Sequence, residues 1–133
     1  YLSDGLAQRM GFRWGYRLLP LISLPLTAVL LIATVSVGNP YAAVFALMAT
    51  FFAIELNEGA YWAATMRVAR ADTGAATGVL NTGGNMAGIL SAPIVGALSG
   101  AGHWNAAFFL GAAFAVVATV CWFVIDPDRR PTS

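Results

Sequence analysis

Two carboxyl side chains lie inside an otherwise uncharged, apolar stretch of the sequence. Glu55 and Glu58 fall between Tyr41 and about Met66, and their i,i+3 spacing puts them on one face of a helix. An acidic side chain at the centre of a membrane helix costs about 2.5–3.5 kcal/mol and usually faces a cavity or the protein interior. Two carboxylates this close repel each other, which favours proton binding by one of them. The pair is a candidate for proton coupling or for lining a cavity; the structural alternative is hydrogen bonding to another helix or a contact with Arg67.

Two carboxamides come at a similar depth in the next apolar stretch. Asn81 and Asn85 are spaced i,i+4 and share a helix face. Amides donate and accept hydrogen bonds without carrying charge, which suits recognition of hydroxyl and carboxylate groups on a small solute. The alternative is hydrogen bonding between helices, worth about 0.6–2 kcal/mol per bond in membranes. With the two glutamates, these amides predict one polar cavity shared by two helices.

Small residues recur every four positions along the same stretch, at Gly84, Gly88, Ala92, Gly96 and Gly100. Such a ridge lets a neighbouring backbone approach closely, so helix packing is predicted for Gly84, Gly88 and Gly96. Pro93 removes a backbone donor and predicts a bend in this helix.

No pattern for reaction chemistry occurs in the sequence. It has no phosphate-binding loop, nucleophile triad or metal-ligand cluster, and its one cysteine, Cys121, cannot form an intramolecular disulfide. The lone histidine, His103, is interpreted as a surface residue of a turn. We therefore expect no enzyme activity, no cofactor and no metal.

The elements that position the polar side chains are predicted to be membrane helices. Of the 133 residues, 59% are hydrophobic and 10% are charged, whereas soluble domains carry about 25% charged residues. Apolar segments at about 18–37, 41–66, 73–99 and 104–125 each reach the roughly 20 residues that cross a bilayer. Short connections predict antiparallel neighbours. The fold class is an all-α membrane protein with four transmembrane helices.

The arginines predict the orientation of these helices. All seven fall before the first segment, between the second and third, or after the fourth, and none falls at the other end. The positive-inside rule then puts both chain ends in the cytoplasm. Net charge is +1 and the arginines form no basic face, which argues against nucleic acid as a partner. Aromatic residues are predicted to anchor the inner interface (Tyr16, Tyr61, Trp62, Trp122) and the outer one (Tyr41, Trp104).

The two ends of the chain are predicted to lie outside the membrane. Residues 1–17 are interpreted as a cytoplasmic loop and residues 126–133 as a cytoplasmic tail. The chain opens with Tyr1 and a polar stretch instead of a signal peptide. We expect it to be a piece of a longer protein.

The stretch Asn57-Glu58-Gly59-Ala60-Tyr61-Trp62, followed by the string from Gly78 to Gly88, resembles helices ten and eleven of major facilitator superfamily transporters. Within that superfamily it is most similar to the anion:cation symporter branch, which carries sugar acids, phthalate and related organic anions. The first segment would then be helix nine and the fourth helix twelve, in the C-terminal half of a twelve-helix fold.

The resemblance implies secondary transport of a small organic anion, driven by a proton or sodium gradient, through alternating access. Trp62 and Asn81 match positions that tend to line the central cavity, with Tyr61, Glu58 and Asn85 beside them. The implied partners are the anion, a coupling cation, the lipid bilayer and the missing N-terminal helices. The implied location is the cell inner membrane, with several passes.

Two other interpretations remain open from the sequence. A self-standing four-helix protein could dimerise around an acidic residue, as small multidrug carriers do. A non-transporting assembly subunit would use the same polar residues only to bind other helices.

Overall fold

The computed structural model describes Gly5, Gln8 and residues 10–125; the segment 126–133, predicted to be a tail, lies outside the described residues. Long helices joined by short turns make up the described part. They are α1 (Phe12–Ser36), α2 (Pro40–Ala69), α3 (Thr73–Gly100) and α4 (Trp104–Val124), with a 3₁₀ turn, Arg70–Asp72, between α2 and α3. The predicted all-α class is confirmed.

The helices are long and apolar enough to cross a membrane. Three continuous helical stretches meet this criterion: Trp14–Ser36, Pro40–Gly100 and Trp104–Val124. The middle stretch holds 61 residues and contains both α2 and α3, each longer than the roughly 20 residues that a single crossing needs.

Helix α1 begins earlier than the apolar segment that predicts it. It starts at Phe12, so residues 12–17, interpreted as part of a loop, form its first turns. Near this end the buried guanidinium of Arg17 donates from Nε to the carbonyl of Ile125 at 2.6 Å and from Nη2 to the same carbonyl and to that of Phe123. The last carbonyls of a helix lack partners within it, so this side chain caps the end of α4.

The turns at the opposite end of the bundle have recognisable helix-end chemistry. Asn39 accepts a hydrogen bond from the Tyr41 N–H at 2.9 Å, and Pro40 follows it at the first helical position of α2. Gly102 has φ +78° and follows the end of α3, where the His103 N–H donates to the Leu98 carbonyl at 2.8 Å. Only glycine adopts this left-handed conformation without strain, which stops α3 and starts the turn to α4.

Helix α1 is the centre of the bundle because it packs along both α2 and α4. Its buried side chains include pairs of adjacent residues, such as Ser23 with Leu24 and Thr27 with Ala28, and the second of these pairs lies one turn after the first. Two partner helices account for this wide buried stripe. Leu24 packs with Ala64 of α2 and Trp122 of α4 in one cluster, and Ala28 packs with Ala112 and Ala115 of α4 in another.

The buried stripe of α2 is a single line of small or polar residues: Thr50, Ala53, Asn57, Ala60 and Ala64. Ala53 and Ala60 are 1% and 0% exposed, so the α1 and α2 backbones approach closely, as small residues allow in membrane proteins. The hydroxyl of Thr50 donates to the Ala46 carbonyl one turn back at 2.8 Å. Hydroxyls satisfied in this way can sit in an apolar interface.

Helix α3 lies at the edge of the described bundle. None of its residues is buried, and its contacts with α2 and α4 are sparse beside those that α1 makes. The antiparallel pairing expected from short connections is therefore extensive for α1 with α2 and weak for both neighbours of α3. Within the described residues, most of the surface of α3 faces outward.

Candidate functional site

A groove of about 450 Å³ lies between α2 and α3. From α2 it is lined by Glu58, Tyr61 and Trp62, and from α3 by Leu80, Asn81, Gly84 and Asn85. The α2 set is spaced i, i+3, i+4 and the α3 set i, i+1, i+4, i+5, which places each set on one face of its helix. The structure thus brings together five of the six side chains that the sequence singled out as candidates for binding or coupling.

The opposite face of α2 explains why these side chains point into the groove. Asn57, Ala60 and Ala64 are buried against the rest of the bundle, so the residues that alternate with them in sequence must face away. Glu58 is exposed, and Tyr61 and Trp62 are half-buried. Helix α2 therefore binds its neighbours through one face and offers polar and aromatic groups through another.

Glu58 and Trp62 form the one hydrogen bond between side chains that line the groove in the described part of the chain. The indole N–H of Trp62 donates to Oε2 of Glu58 at 3.2 Å, across one turn of α2. An indole has this single donor and no acceptor, so the carboxylate occupies all of the hydrogen-bonding capacity of Trp62.

Tyr61 connects the groove to the core. Its ring packs edge-on against Trp122 of α4, with ring centroids 5.2 Å apart and an interplanar angle of 66°. Trp122 is 2% exposed, so its predicted role as an interface anchor is wrong; it is a core residue packed with Leu24 and Ala64. Edge-to-face pairs contribute about 0.5–1.5 kcal/mol beyond their buried area, which helps to fix Tyr61 at the groove wall.

A second groove, of about 330 Å³, begins where the first one ends. It is lined largely by apolar residues near the turn between α2 and α3, and Tyr61 and Leu80 belong to both linings. Trp122 of α4 and Ile125, the residue that follows this helix, close it on the other side. The carboxylate of Glu58 and the amides of Asn81 and Asn85 therefore belong to the first groove, and the second one has Thr65 and Tyr61 in an otherwise apolar lining.

The family comparison adds a finding that is independent of this geometry. The model of the Major Facilitator Superfamily matches residues 2–133. The chain belongs to this superfamily. No curated protein and no solved structure gives a significant match.

Membership in the Major Facilitator Superfamily makes this chain a membrane-transport protein with several membrane passes. The resemblance seen in the sequence is thereby confirmed at the level of the superfamily. Among the described residues, no group of three or more His, Cys, Asp or Glu side chains is arranged to hold a metal ion.

One predicted site residue of this major facilitator chain lies outside the groove. Glu55 is exposed on α2 but does not line the groove, whose α2 wall begins at Glu58. Glu55 and Glu58 are three positions apart, which corresponds to about 4.5 Å along the helix axis. A helix face shared with Glu58 was therefore not enough to place Glu55 in the groove lining, because Glu55 lies about one turn farther along α2.

The glycines of α3 divide between two environments. Gly84 lines the groove, where the lack of a side chain leaves room between Asn81 and Asn85. At Gly84, Gly88 and Gly96, a Cβ would meet no atom within 4 Å among the described residues. Their helix-packing role stays a prediction.

Two polar residues that matter for the fold were not identified from the sequence. Arg17 was interpreted only as a positive charge at the membrane surface, yet it caps α4. Asn57 is 3% exposed in the α2 stripe, and its Oδ1 has no hydrogen-bond partner in the described part of the molecule. The sequence feature that could have identified Asn57 as a buried residue is its position in the line of small residues spaced three and four apart along α2.

Proposed function

We propose that this chain forms part of a secondary transporter for a small organic anion, a sugar acid or an aromatic or other carboxylate, driven by a proton or sodium gradient. The observation that carries the proposal is the groove, in which an indole, a phenol, two carboxamides and one carboxylate converge from two helices. Sites at the meeting point of helices near the middle of the membrane are typical of secondary transporters.

The side chains of the groove suit a polyhydroxylated or carboxylated solute. The amides of Asn81 and Asn85 can donate to carboxylate oxygens and exchange hydrogen bonds with hydroxyls. The rings of Tyr61 and Trp62 offer apolar faces for a sugar ring or an aromatic ring. Glu58 is the charged residue of the lining, so the charge that neutralises the anion comes in this proposal from the coupling cation or from a group outside the described residues.

The remaining parts of the proposal concern the whole carrier. The chain is proposed to be its C-terminal portion, with four crossings at about 18–37, 41–66, 73–99 and 104–125. Segment 1–17, whose last residues form the start of α1, and tail 126–133 then face the cytoplasm, and the carrier lies in the cell inner membrane. The branch assignment, to anion:cation symporters, rests on the residues of α2 and α3 that form the groove.

Uptake by the natural product of the gene that carries this sequence tests the proposal. The protein is reconstituted in proteoliposomes and given radiolabelled galactonate, glucuronate, glucarate or phthalate under a proton or a sodium gradient. Uptake of at least one anion is expected, without uptake of the neutral sugars galactose and glucose. Uptake of neutral sugars alone would refute the substrate class.

Asn81 provides the matched pair of variants for the site. Asn81→Ala removes hydrogen bonds to a charged ligand, which contribute about 1.5–3 kcal/mol, so affinity is expected to fall tenfold or more. Asn81→Asp adds a negative charge close to the anion and is expected to weaken binding further. Equal affinity in wild type and both variants would show that the groove is not the binding site.

A further inference from the structure

We propose that the second groove binds one acyl chain of an anionic phospholipid, whose phosphate lies at Arg70 and whose ester oxygens lie near Thr65. The observation behind it is the order of groups along the groove: an apolar lining, a half-buried hydroxyl and an arginine at the mouth. A phospholipid has the same order, from acyl chain to ester to phosphate. This lipid site is separate from the solute site proposed for the first groove.

The deep part of the groove suits an acyl chain. Apart from Tyr61 and Thr65 its lining is apolar, and the lining residues come from α2, α3 and the end of α4. From Ala69 at the mouth to Tyr61, the groove follows α2 for about 12 Å of axial rise. Because α3 packs only sparsely against its neighbours, a chain can enter beside it. The bilayer is as apolar as this lining, so the chain contributes fit and the head group contributes selectivity.

Thr65 offers a hydroxyl about one turn of α2 inside the mouth. Four other helical threonines donate their hydroxyls to the carbonyl one turn back, each at 2.8 Å: Thr27, Thr34, Thr50 and Thr119. Thr65 donates to no atom of the described residues, although it is half-buried and lines the groove. A hydroxyl in this state can donate to an ester oxygen of a lipid.

Arginines on two walls give the mouth a positive charge. On the α2 wall the last lining residue, Ala69, is followed by Arg70, whose side chain is exposed. On the α4 wall the last lining residue is Ile125, whose carbonyl accepts from the buried guanidinium of Arg17. Asp72 is the acidic residue of the turn, and α3 begins after it without a side-chain cap, so the first N–H groups of α3 favour an anion. Basic pockets between membrane helices bind anionic lipid head groups.

The backbone of Arg70 allows its side chain to be tested apart from the fold. Its φ is +47°, a left-handed value that glycine adopts with less strain. Arg70→Gly is therefore expected to preserve or raise the melting temperature of the delipidated protein. The same substitution removes the guanidinium, so a loss of lipid affinity in this variant does not come from unfolding.

Native mass spectrometry of the natural gene product, delipidated in detergent, measures the binding. The probes are dioleoyl phosphatidylglycerol and dioleoyl phosphatidylcholine, which share acyl chains and differ in net charge. Wild type is expected to bind its first phosphatidylglycerol about fivefold or more tightly than phosphatidylcholine. Arg70→Gly should abolish this preference, and Arg70→Lys should keep most of it because the charge remains.

Variants inside the groove test the other two contacts. Thr65→Val keeps the shape of the side chain and should weaken both lipids about threefold or more, since both carry ester oxygens. Ala76→Phe fills the groove and should remove the preference for phosphatidylglycerol. The matched control is Ala75→Phe, at the exposed neighbouring position outside the lining, which should bind as wild type does.

Phosphatidylglycerol with a photoactivatable diazirine in one acyl chain locates the site. Cross-links are expected in the segments 61–69 and 76–80, and cross-links confined to other surfaces would overturn the proposal. Equal wild-type affinities for the two lipids would also overturn it, as would wild-type binding by both Arg70→Gly and Ala76→Phe. A protein that retains no lipid would show that another part of the polypeptide fills the groove, which would refute the lipid site and leave the first groove unaffected.

Discussion

At the scale of single residues, Arg17 shows how a charge can be buried in this bundle. Its guanidinium is 5% exposed, and it reaches two carbonyls at the end of α4, more than a hundred residues away in sequence. Buried charges are tolerated when hydrogen bonds replace the lost water. The end of a helix also carries a partial negative charge that favours a cation. One side chain thus joins the first and the last helix of the described chain.

Replacing Arg17 tests this role. Arg17→Ala leaves the terminal carbonyls of α4 without their donor and is expected to cost about 1.5–3 kcal/mol, a fall in melting temperature of roughly 5 °C or more. Arg17→Lys keeps the charge but lacks the planar fork, so it should recover only part of the loss. Thermal unfolding of the detergent-solubilised gene product measures both. Equal melting temperatures for Ala, Lys and wild type would contradict the capping role.

At the scale of helices, α2 carries two functions on two faces. Its small-residue stripe, with Ala53 and Ala60 at its centre, fits closely against the bundle, whereas Glu58 and Trp62 face the groove. Close packing of the small-residue stripe keeps α2 from rotating, and the side chains on its other face therefore stay directed into the groove. Precision at the groove therefore depends on the fit of residues that never touch a solute.

Ala60→Leu is expected to disturb this fit. Ala60 is 0% exposed, and added carbon atoms at a tight contact typically cost about 1–3 kcal/mol. The matched control is Ala49→Leu on the exposed side of the same helix, where a larger apolar side chain should be nearly neutral. Melting temperature reports the difference. Equal effects of the two substitutions would argue against the described packing of α2.

Hydropathy was sufficient to predict the helices, because each crossing needs a long apolar segment. It could not locate the start of α1, since the residues before the apolar segment continue the helix and one of them, Arg17, binds the end of α4. The i,i+4 spacing predicted that Asn81 and Asn85 share a helix face, and both line the groove opposite Glu58. Spacing alone could not decide how far along α2 the groove extends, and Glu55 lies outside its lining. Nor could it tell that Trp122 faces other helices.

At the scale of the whole molecule, α3 is the element without a neighbour on most of its surface. Its residues 81–97 are all exposed, and this surface contains the glycine ridge as well as the groove amides. Glycine in a helix costs about 1 kcal/mol relative to alanine, so a run of glycines needs a compensating contact. In a twelve-helix carrier, other helices of the same protein would provide it.

Gly88→Leu in the natural gene product shows whether another helix or lipid covers the glycine ridge, because the two environments change the melting temperature in opposite directions. If another helix covers the ridge, the side chain collides with it and lowers the melting temperature. If the ridge faces lipid, the better helix propensity of leucine raises stability by up to about 1 kcal/mol. We expect the decrease. Gly111→Leu is the positive control, because a Cβ there already lies 3.3 Å from Leu31 Cδ1.

The orientation of the whole molecule in the membrane can be measured by labelling three exposed positions in its turns. Arg17 binds the end of α4, and α2 returns to the same end of the bundle, so the arginines of the described chain gather on one side. That side should be cytoplasmic, because positively charged loops are retained there during insertion.

In a cysteine-free background that includes Cys121→Ala, we expect a membrane-impermeant maleimide to label Gly38→Cys and Ala101→Cys in intact cells. Asp72→Cys, next to Arg70, should react only after permeabilisation. The reverse pattern would invert the topology, and equal labelling of all three positions in intact cells would mean that neither α2 nor α3 crosses the membrane.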